Sequence, residues 1–472
     1  MIAKWAHLPP EHFFKIGQYT LFLLFGGFLL LLFGILLVFP QWLPFYPLLI
    51  GSFFVLWVLF QRPAWHILLI IIGFYLISGY SSETAPQEIL YTLYVLSYLA
   101  GWFLLQWFVY RRPVVLRWDD VVLMGLLIYA TFSFVHNRIL HGELSAFVNE
   151  WAALILLGLY FPIRDFVMRH TRGAQYVMFA LLALATLMSL RNLYVIVQDY
   201  YSVKALWQLL LLREIVNKQY FVYASLALLI LLLYSETLRA RLLWFLLLII
   251  NFASLIGTQT RAMWLAFAMG VGMLFLLLKQ PQRTRLLGLV ILGLVASLGV
   301  GWVVFGKTSL LILSGLVNRI FSISSALTQD LSMINRYYEA LQVWDYVKSN
   351  PIAGYGLGVP YRFYDLVHEV TLRKTWIHNG FIGVWYKFGI FGFAGLFAFW
   401  LYKLREAFRL LRVKTASTTH TIAMSIFVTL TVLFPTVFSH NPFHNADSLF
   451  LLAILTGLIT GLYRKEMTPL ST

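Results

Sequence analysis

Apolar runs of roughly 17–25 residues recur along almost the whole chain, the length a helix needs to cross a bilayer core. Hydropathy places about fourteen of them, near residues 18–39, 42–60, 65–80, 89–110, 120–135, 149–167, 176–197, 219–235, 241–257, 262–278, 286–305, 380–402, 421–438 and 448–463. The runs do not alternate polar with apolar residues, as the strands of a membrane barrel would. The expected fold class is therefore all-α. It is a polytopic integral membrane protein of about fourteen transmembrane helices, with residues 1–472 forming one integral membrane domain. The one long polar interruption, residues 306–379, reads as a large loop. Within it Ile334, Tyr338, Leu341, Trp344 and Val347 recur at helical spacing, which predicts an amphipathic helix ended by Asn350-Pro351.

The segments between the runs alternate in basic charge. One set carries Lys4 and Lys15, Arg62, Arg111 and Arg112 with Arg117, Arg164 with Arg169 and Arg172, and Arg239 with Arg241. The same set continues through Lys279, Arg283 and Arg285, the cluster from Lys403 to Lys414, and Arg464 with Lys465. The other set is sparse in Lys and Arg: PQWLP and SSETAPQE have none and HNRILHGE has one. By the positive-inside rule the rich set is cytoplasmic. Both termini are then expected inside, and the long loop faces out. Two shorter outward pieces join it: Gln198 to Lys218, and the tight turn GTQTRAMW, which sets Arg261 at an outer span end.

Composition narrows the class further. Of 472 residues, 61% are hydrophobic and 11% charged, more apolar surface than a soluble core can bury. The net charge of +16 is accounted for by basic loops held against anionic lipid, so no nucleic-acid partner is expected. There is no cysteine, which excludes disulfides, thiolate nucleophiles and cysteine metal sites. The N-terminal stretch runs into its first span without a small-residue cleavage site, so a retained cytoplasmic tail is expected.

Chemistry concentrates on the outward side. Arg261 and Arg336 are candidate phosphate clamps, because a guanidinium binds phosphate oxygens through two parallel N–H groups. The bland readings are a snorkelling span-end arginine for the first and a solvated helix face for the second. Gly354, Gly356 and Gly358 make turns or, with Gly356 central, offer backbone N–H groups to an anion. His378, just before Asn379-Gly380 at the entry to a span, can take a proton from a hydroxyl or pair with phosphate. Tyr337 and Asn379, beside Arg336 and His378, complete the candidate substrate-binding set. In the last outer loop His440, His444 and Asp447 lie close together, but Pro442 argues against a zinc-binding helix, and no metal is expected. Arginines and histidines without an obvious carboxylate pair suit departure of a diphosphate, which needs positive charge but no acid.

Three stretches carry a family resemblance: TQTRAMWLAFAMGVGMLFLLL, NRYYEALQVWDYVKSNPIAGYGLG and IHNGFIGVWYKFGIFGFAGLF. In this order they resemble the O-antigen ligase and O-antigen polymerase superfamily of bacterial envelope glycan enzymes. The turn departs from the family pattern in having Arg-Ala where Arg-Gly is common. The resemblance implies a GT-C-like, metal-independent, inverting glycosyltransferase without a cofactor. Its donor would be an undecaprenyl-diphosphate-linked glycan, and its acceptor lipid A-core, a second lipid-linked glycan or a protein hydroxyl. It also implies the bacterial inner membrane, with the active site on the periplasmic face. By position Arg261 and Arg336 match the family's essential arginines and His378 its essential histidine. The rival reading is a transporter or flippase for a lipid-linked or anionic substrate, whose site would sit near the bilayer midplane.

Overall fold

The computed structural model describes residues 63–77, 86–202, 218–305, 314, 330–413 and 417–467. The expected spans at 18–39 and 42–60, the basic residues Lys4, Lys15, Arg62 and Lys414, residues 203–217 of a shorter outward piece, and residues 306–313 and 315–329 of the long loop lie outside the described residues.

The helices in chain order are α1 Pro63–Gly73, α2 Pro86–Leu104, α3 Trp118–Ile139, α4 Leu144–Ile155, α5 Tyr160–Arg169, α6 Gly173–Ser202 and α7 Lys218–Tyr234. They continue with α8 Leu238–Gly257, α9 Arg261–Leu277, α10 Gln280–Phe305, α11 Leu331–Ser349, α12 Gly380–Arg412, α13 Ser417–Leu433 and α14 Ala446–Met467. A 3-10 turn at Leu156–Leu159 joins α4 to α5 in one rod. Each of the twelve expected spans that fall among the described residues coincides with one of these helices or rods. Eight helices among the described residues are long and apolar enough to cross a membrane. The apolar segments Pro63–Leu76, Lys218–Tyr234 and Arg261–Leu277 are shorter.

Apolar residues surround α7 on every side, and nearly all of them are buried, so α7 is a central post. In α14 89% of the apolar window is buried, against 17% in α8. An apolar helix that the protein leaves uncovered is a rim helix whose neighbours are lipid tails. Between apolar helices in lipid there is no hydrophobic gain, so contact relies on close packing and polar bonds. Both are present. Asn251 of α8 accepts from Ser189 of α6 at 2.9 Å and donates to Thr186 at 3.0 Å. A Cβ on Gly461 of α14 would come within 2.8 Å of the Arg164 carbonyl of α5, so the two helices meet backbone to backbone.

At the basic ends of the helices a charged network is sealed inside the bundle. Lys403 of α12 pairs with Asp119 of α3, and lies 3.2 Å from Glu406 and 2.7 Å from Thr460 Oγ1 of α14. Asp120 takes Arg164 of α5 at 2.6 Å and Arg464 of α14 at 3.0 Å. Tyr160 donates from α5 to the same aspartate at 2.8 Å. The network fastens four helices together.

At the other end, α11 and a two-stranded antiparallel sheet form a small second core. The strands are β1 Tyr361–Asp365 and β2 Val370–Lys374, paired Tyr361 to Lys374 through Asp365 to Val370. Val343 and Val347 of α11 pack there with Tyr361, Phe363, Ile377 and Tyr386. The sheet is a small addition, within the loop, to an otherwise helical membrane protein. Its signal was legible: Tyr361, Phe363 and Asp365 alternate inward with Arg362 and Tyr364 outward.

The predicted α11 is present and ends at Asn350, but its buried face differs from the expected one. Glu339, Ala340, Val343 and Val347 turn inward, while Tyr338, Leu341 and Trp344 stay exposed. The helix carries two apolar stripes, and periodicity alone does not say which one meets the protein.

After α11, residues 350–358 fold onto α12 where that helix kinks. Gly389 has φ 64, and a Cβ there would collide with the Ile352 carbonyl, so only glycine fits. Ile390 N–H then reaches the Pro351 carbonyl at 2.9 Å instead of a partner in its own helix.

Candidate functional site

The loop end holds a connected set of polar side chains drawn from α4, α11, β1, α12 and the turn between α13 and α14. Each is delivered by a local device. Asp330 caps α11 by accepting from Ser332 N–H at 3.0 Å, and it also pairs with Arg261 at the first turn of α9. Asn379 caps α12 by accepting from Ile382 N–H at 3.1 Å, which holds His378 at the helix entrance. Asn441 donates to the Ile377 carbonyl at 3.0 Å and so docks the 439–445 turn beside that entrance.

Glu339 is the hub. Its Oε2 accepts from His378 Nδ1 at 2.7 Å and from the His378 backbone N–H at 3.0 Å. Its Oε1 lies 2.6 Å from the Tyr361 hydroxyl, which is also 2.7 Å from the Trp376 carbonyl. The hydroxyl's one proton serves one of these acceptors at a time. Glu339 is 1% exposed. Burial pushes its carboxyl up, but the His378 bond and charge, with Tyr361 and the backbone N–H, outweigh that and hold it below the usual range. Burial and the neighbouring Glu339 push the Tyr361 hydroxyl up, so it stays protonated and donates.

Arg336 lies one helical turn before Glu339, on the same side of α11, and donates to the Ser439 carbonyl at 2.9 Å. His440 follows and stands 3.3 Å from Asn445 Nδ2. Burial, then the charges of Lys218, Arg336, His378 and His444, push His440 well below the usual imidazole value.

A second group adjoins. Lys387 of α12 pairs with Glu150 of α4 at 2.6 Å, and His444 stands 3.5 Å from the lysine. Burial and then Lys387 push His444 down as well. Trp376 bridges the groups, its ring 4.0 Å from that of His378 and 6.3 Å from that of His444.

The structure thus brings Arg336 and His378 together around Glu339 and the 439–445 turn, with Arg261 at the N-terminus of the same helix α11. Tyr337 is 65% exposed and outside the cluster. Asn379 spends its side-chain oxygen on the helix cap. Gly354, Gly356 and Gly358 all have positive φ, as turn glycines do. Gly356 N–H donates to the Lys387 carbonyl at 2.9 Å and Gly358 N–H to Glu150 at 2.9 Å. Those amides are committed to folding the loop, and none is left for an anion. His440, His444 and Asp447 do not converge as ligands: among the described residues no three His, Asp or Glu side chains are grouped to hold a metal ion.

Sequence reasoning missed Glu339, Tyr361, Trp376, Glu150 and Lys387. For two of them a signal existed. Glu150 and Lys387 fall within apolar runs, where an ionisable residue needs a partner or a function. Glu339 gave less warning, because one acid in a polar loop helix reads as solvated until the buried stripe is known.

A cavity of about 20 Å³ lies behind the 439–445 turn, lined by Gln219, Trp400, Thr436, Pro442 and Ser448 among others. It has room for about one water and not for a lipid chain.

Residues 245–397 match the family model described as O-antigen ligase. The matched stretch runs from within α8 to within α12 and contains Arg261, Arg336, Glu339 and His378. It supports membership of the O-antigen ligase and polymerase superfamily. No curated protein matches the chain.

Proposed function

From the O-antigen ligase match over residues 245–397, we propose that this protein is a membrane glycosyltransferase. It moves a glycan from an undecaprenyl-diphosphate-linked donor to an acceptor hydroxyl, at the periplasmic face of a bacterial inner membrane. The observation that carries the reading is that Arg336, held by the Ser439 carbonyl, and His378, bonded to Glu339 one helical turn further along α11, both fall within the matched stretch.

The acceptor oxygen attacks the anomeric carbon of the donor, and the bond from that carbon to the diphosphate oxygen breaks. The electron pair leaves on polyprenyl diphosphate. The acceptor proton goes to His378, within reach of a hydroxyl at the open edge of its ring. A single displacement inverts the anomeric centre. Arg336 and Arg261 neutralise the charge growing on the leaving diphosphate, which is the costly part of the barrier and the part guanidinium groups lower. The reaction in this form needs neither metal nor cofactor. Charge provision falls to Arg261 and Arg336, and Tyr337, Asn379 and Gly356 have no part in it.

The test uses purified protein in detergent with a polyprenyl-diphosphate glycan and EDTA, products being read by gel and mass spectrometry. Free polyprenyl diphosphate with a ladder of longer lipid-linked glycans identifies a polymerase. Transfer only after lipid A-core is added identifies a ligase, and transfer to a hydroxylated peptide a protein-glycosylating enzyme. Donor that binds and is never turned over with any acceptor overturns the reading in favour of a transporter.

A further inference from the structure

We infer that Glu339 is a positioning residue that fixes the tautomer of His378, with Tyr361 holding the carboxylate in place. The inference rests on the reading of His378 as proton acceptor and adds which nitrogen does the work.

An ionised carboxylate only accepts hydrogen bonds. Glu339 Oε2 is 2.7 Å from His378 Nδ1, so Nδ1 carries the hydrogen, and in the neutral ring the lone pair falls on Nε2. The same oxygen takes the His378 backbone N–H at 3.0 Å. Ring and backbone of one residue are thereby tied to one atom, leaving little freedom for the ring to swing. Trp376 closes a further side, its ring 4.0 Å away and tilted by 55°. The His378 side chain is 19% exposed and that of Glu339 1%. The imidazole keeps an open edge while its anchor is dry, and an anchor without competing water holds its geometry. Tyr361 supports Glu339 from β1 through the 2.6 Å contact to the other carboxylate oxygen.

The charged and titratable groups in the cluster around His378 come from four parts of the fold. Glu339 of α11 is bonded to it; Arg336 of the same helix, Tyr361 of β1, His440 and His444 of the 439–445 turn and Lys387 of α12 belong to the same cluster. Glu339 alone among them is bonded to the ring.

Nitrogen-15 NMR of histidine-labelled protein, recorded at a pH high enough that the His378 signals are those of the neutral ring, reads the tautomer directly, with H378Q supplying the assignment. The expected result in the unmodified protein is the Nδ1–H form. The Nε2–H form would overturn the inference whatever the variants do. In Glu339→Gln the amide oxygen can still accept from both His378 N–H groups, so the Nδ1–H form should persist, whereas Glu339→Ala removes the acceptor and should let the Nε2–H form appear. Glycan transfer in Glu339→Ala should then lose about 10²–10⁴ in kcat, the scale on which a misassigned tautomer acts in other enzymes. Donor KM should stay within about threefold. A kcat within about threefold of the parent, or a loss confined to KM, would mean that the carboxylate only supports the fold. Tyr361→Phe should keep the Nδ1–H form. If no glycan is transferred by the parent protein, the function reading fails while the tautomer still decides the positioning role.

Discussion

Acidic and basic side chains meet at both ends of this molecule, and the two meetings have different designs. At the basic end Asp119, Asp120 and Glu406 interlock with Lys403, Arg164 and Arg464, and none of these side chains is more than 5% exposed. At the loop end each carboxylate has one principal basic partner: Asp330 with Arg261, Glu339 with His378, Glu150 with Lys387. Several partners there keep an open side, Arg261 at 26%, His378 at 19% and His444 at 24%. A charge sealed inside the bundle is out of reach of a substrate. A charge held from one side is oriented toward whatever arrives on the other. The closed end also binds α3, α5, α12 and α14 together where a transporter would have to open, which favours an enzyme worked from the loop end.

The sharpest way to break this comparison is Lys403→Met. Removing one member of a buried ion pair strands its partners, here Asp119 and Glu406, and typically costs about 3–5 kcal/mol. We expect thermal unfolding in detergent to shift down accordingly, while transfer per folded molecule stays unchanged. A variant that folds normally but fails in transfer would place chemistry at the closed end.

Arg336→Ala should do the reverse. Loss of a group that stabilises charge in the transition state costs about 10²–10³ in rate. Loss of the Ser439 bond should cost the fold about 1 kcal/mol. Initial rates at saturating acceptor, together with the melting curve, separate the two effects. A large loss of stability at full specific rate would make Arg336 a strut like those at the opposite end.

The two ends were also unequally legible in the sequence. Apolar runs set the helices, because a bilayer demands a run of fixed length and composition. Arg261 stood out as a basic group at an outer span end, and Arg336 and His378 as a helix arginine and a span-entry histidine in the long loop. Their partners did not. Glu339 is distant in sequence from His378, and no periodicity reports that β1 and the 439–445 turn close on the same side of α11. The choice between its two apolar stripes depends on those contacts, so Tyr338, Leu341 and Trp344 read as inward and lie outward. The closed network was invisible for the same reason: Asp119, Lys403 and Arg464 look like loop-end charges until four helix ends are brought together.

Acid should sharpen the contrast. Burial and neighbouring positive charge hold His440 and His444 below the ordinary imidazole value. The unfolded chain therefore takes up protons first as pH falls below about 6.5, and the loop end loses stability from there downward. Glu339, held below its ordinary 4.5, gives stability that is complete above that value and lost as pH falls through its folded value. The closed network contains no histidine and has no counterpart to the first step. Hydrogen exchange, corrected for its intrinsic pH dependence, should rise on the order of tenfold in α11 and the 439–445 turn between about pH 7.5 and 5.5. It should rise much less where α3 meets α14. His444→Gln should shrink the step, and an equal rise at both ends would sink the explanation.

The smallest expected effect concerns Arg261. Its ion pair with Asp330 is partly open to solvent, with side chains 26% and 22% exposed, and pairs of that kind contribute under about 1 kcal/mol to stability. Asp330→Asn keeps the shape and an oxygen to accept from Ser332 N–H, so α11 should retain its cap. What it removes is the negative charge beside the arginine that meets the diphosphate in the proposed reaction. Donor KM should therefore fall, by about threefold, with kcat changing less, since the anion no longer competes with the carboxylate. Arg261→Ala should raise the same KM. If Asp330→Asn also raises it, Asp330 holds Arg261 in position for the donor, and the pair belongs with the struts of the closed end.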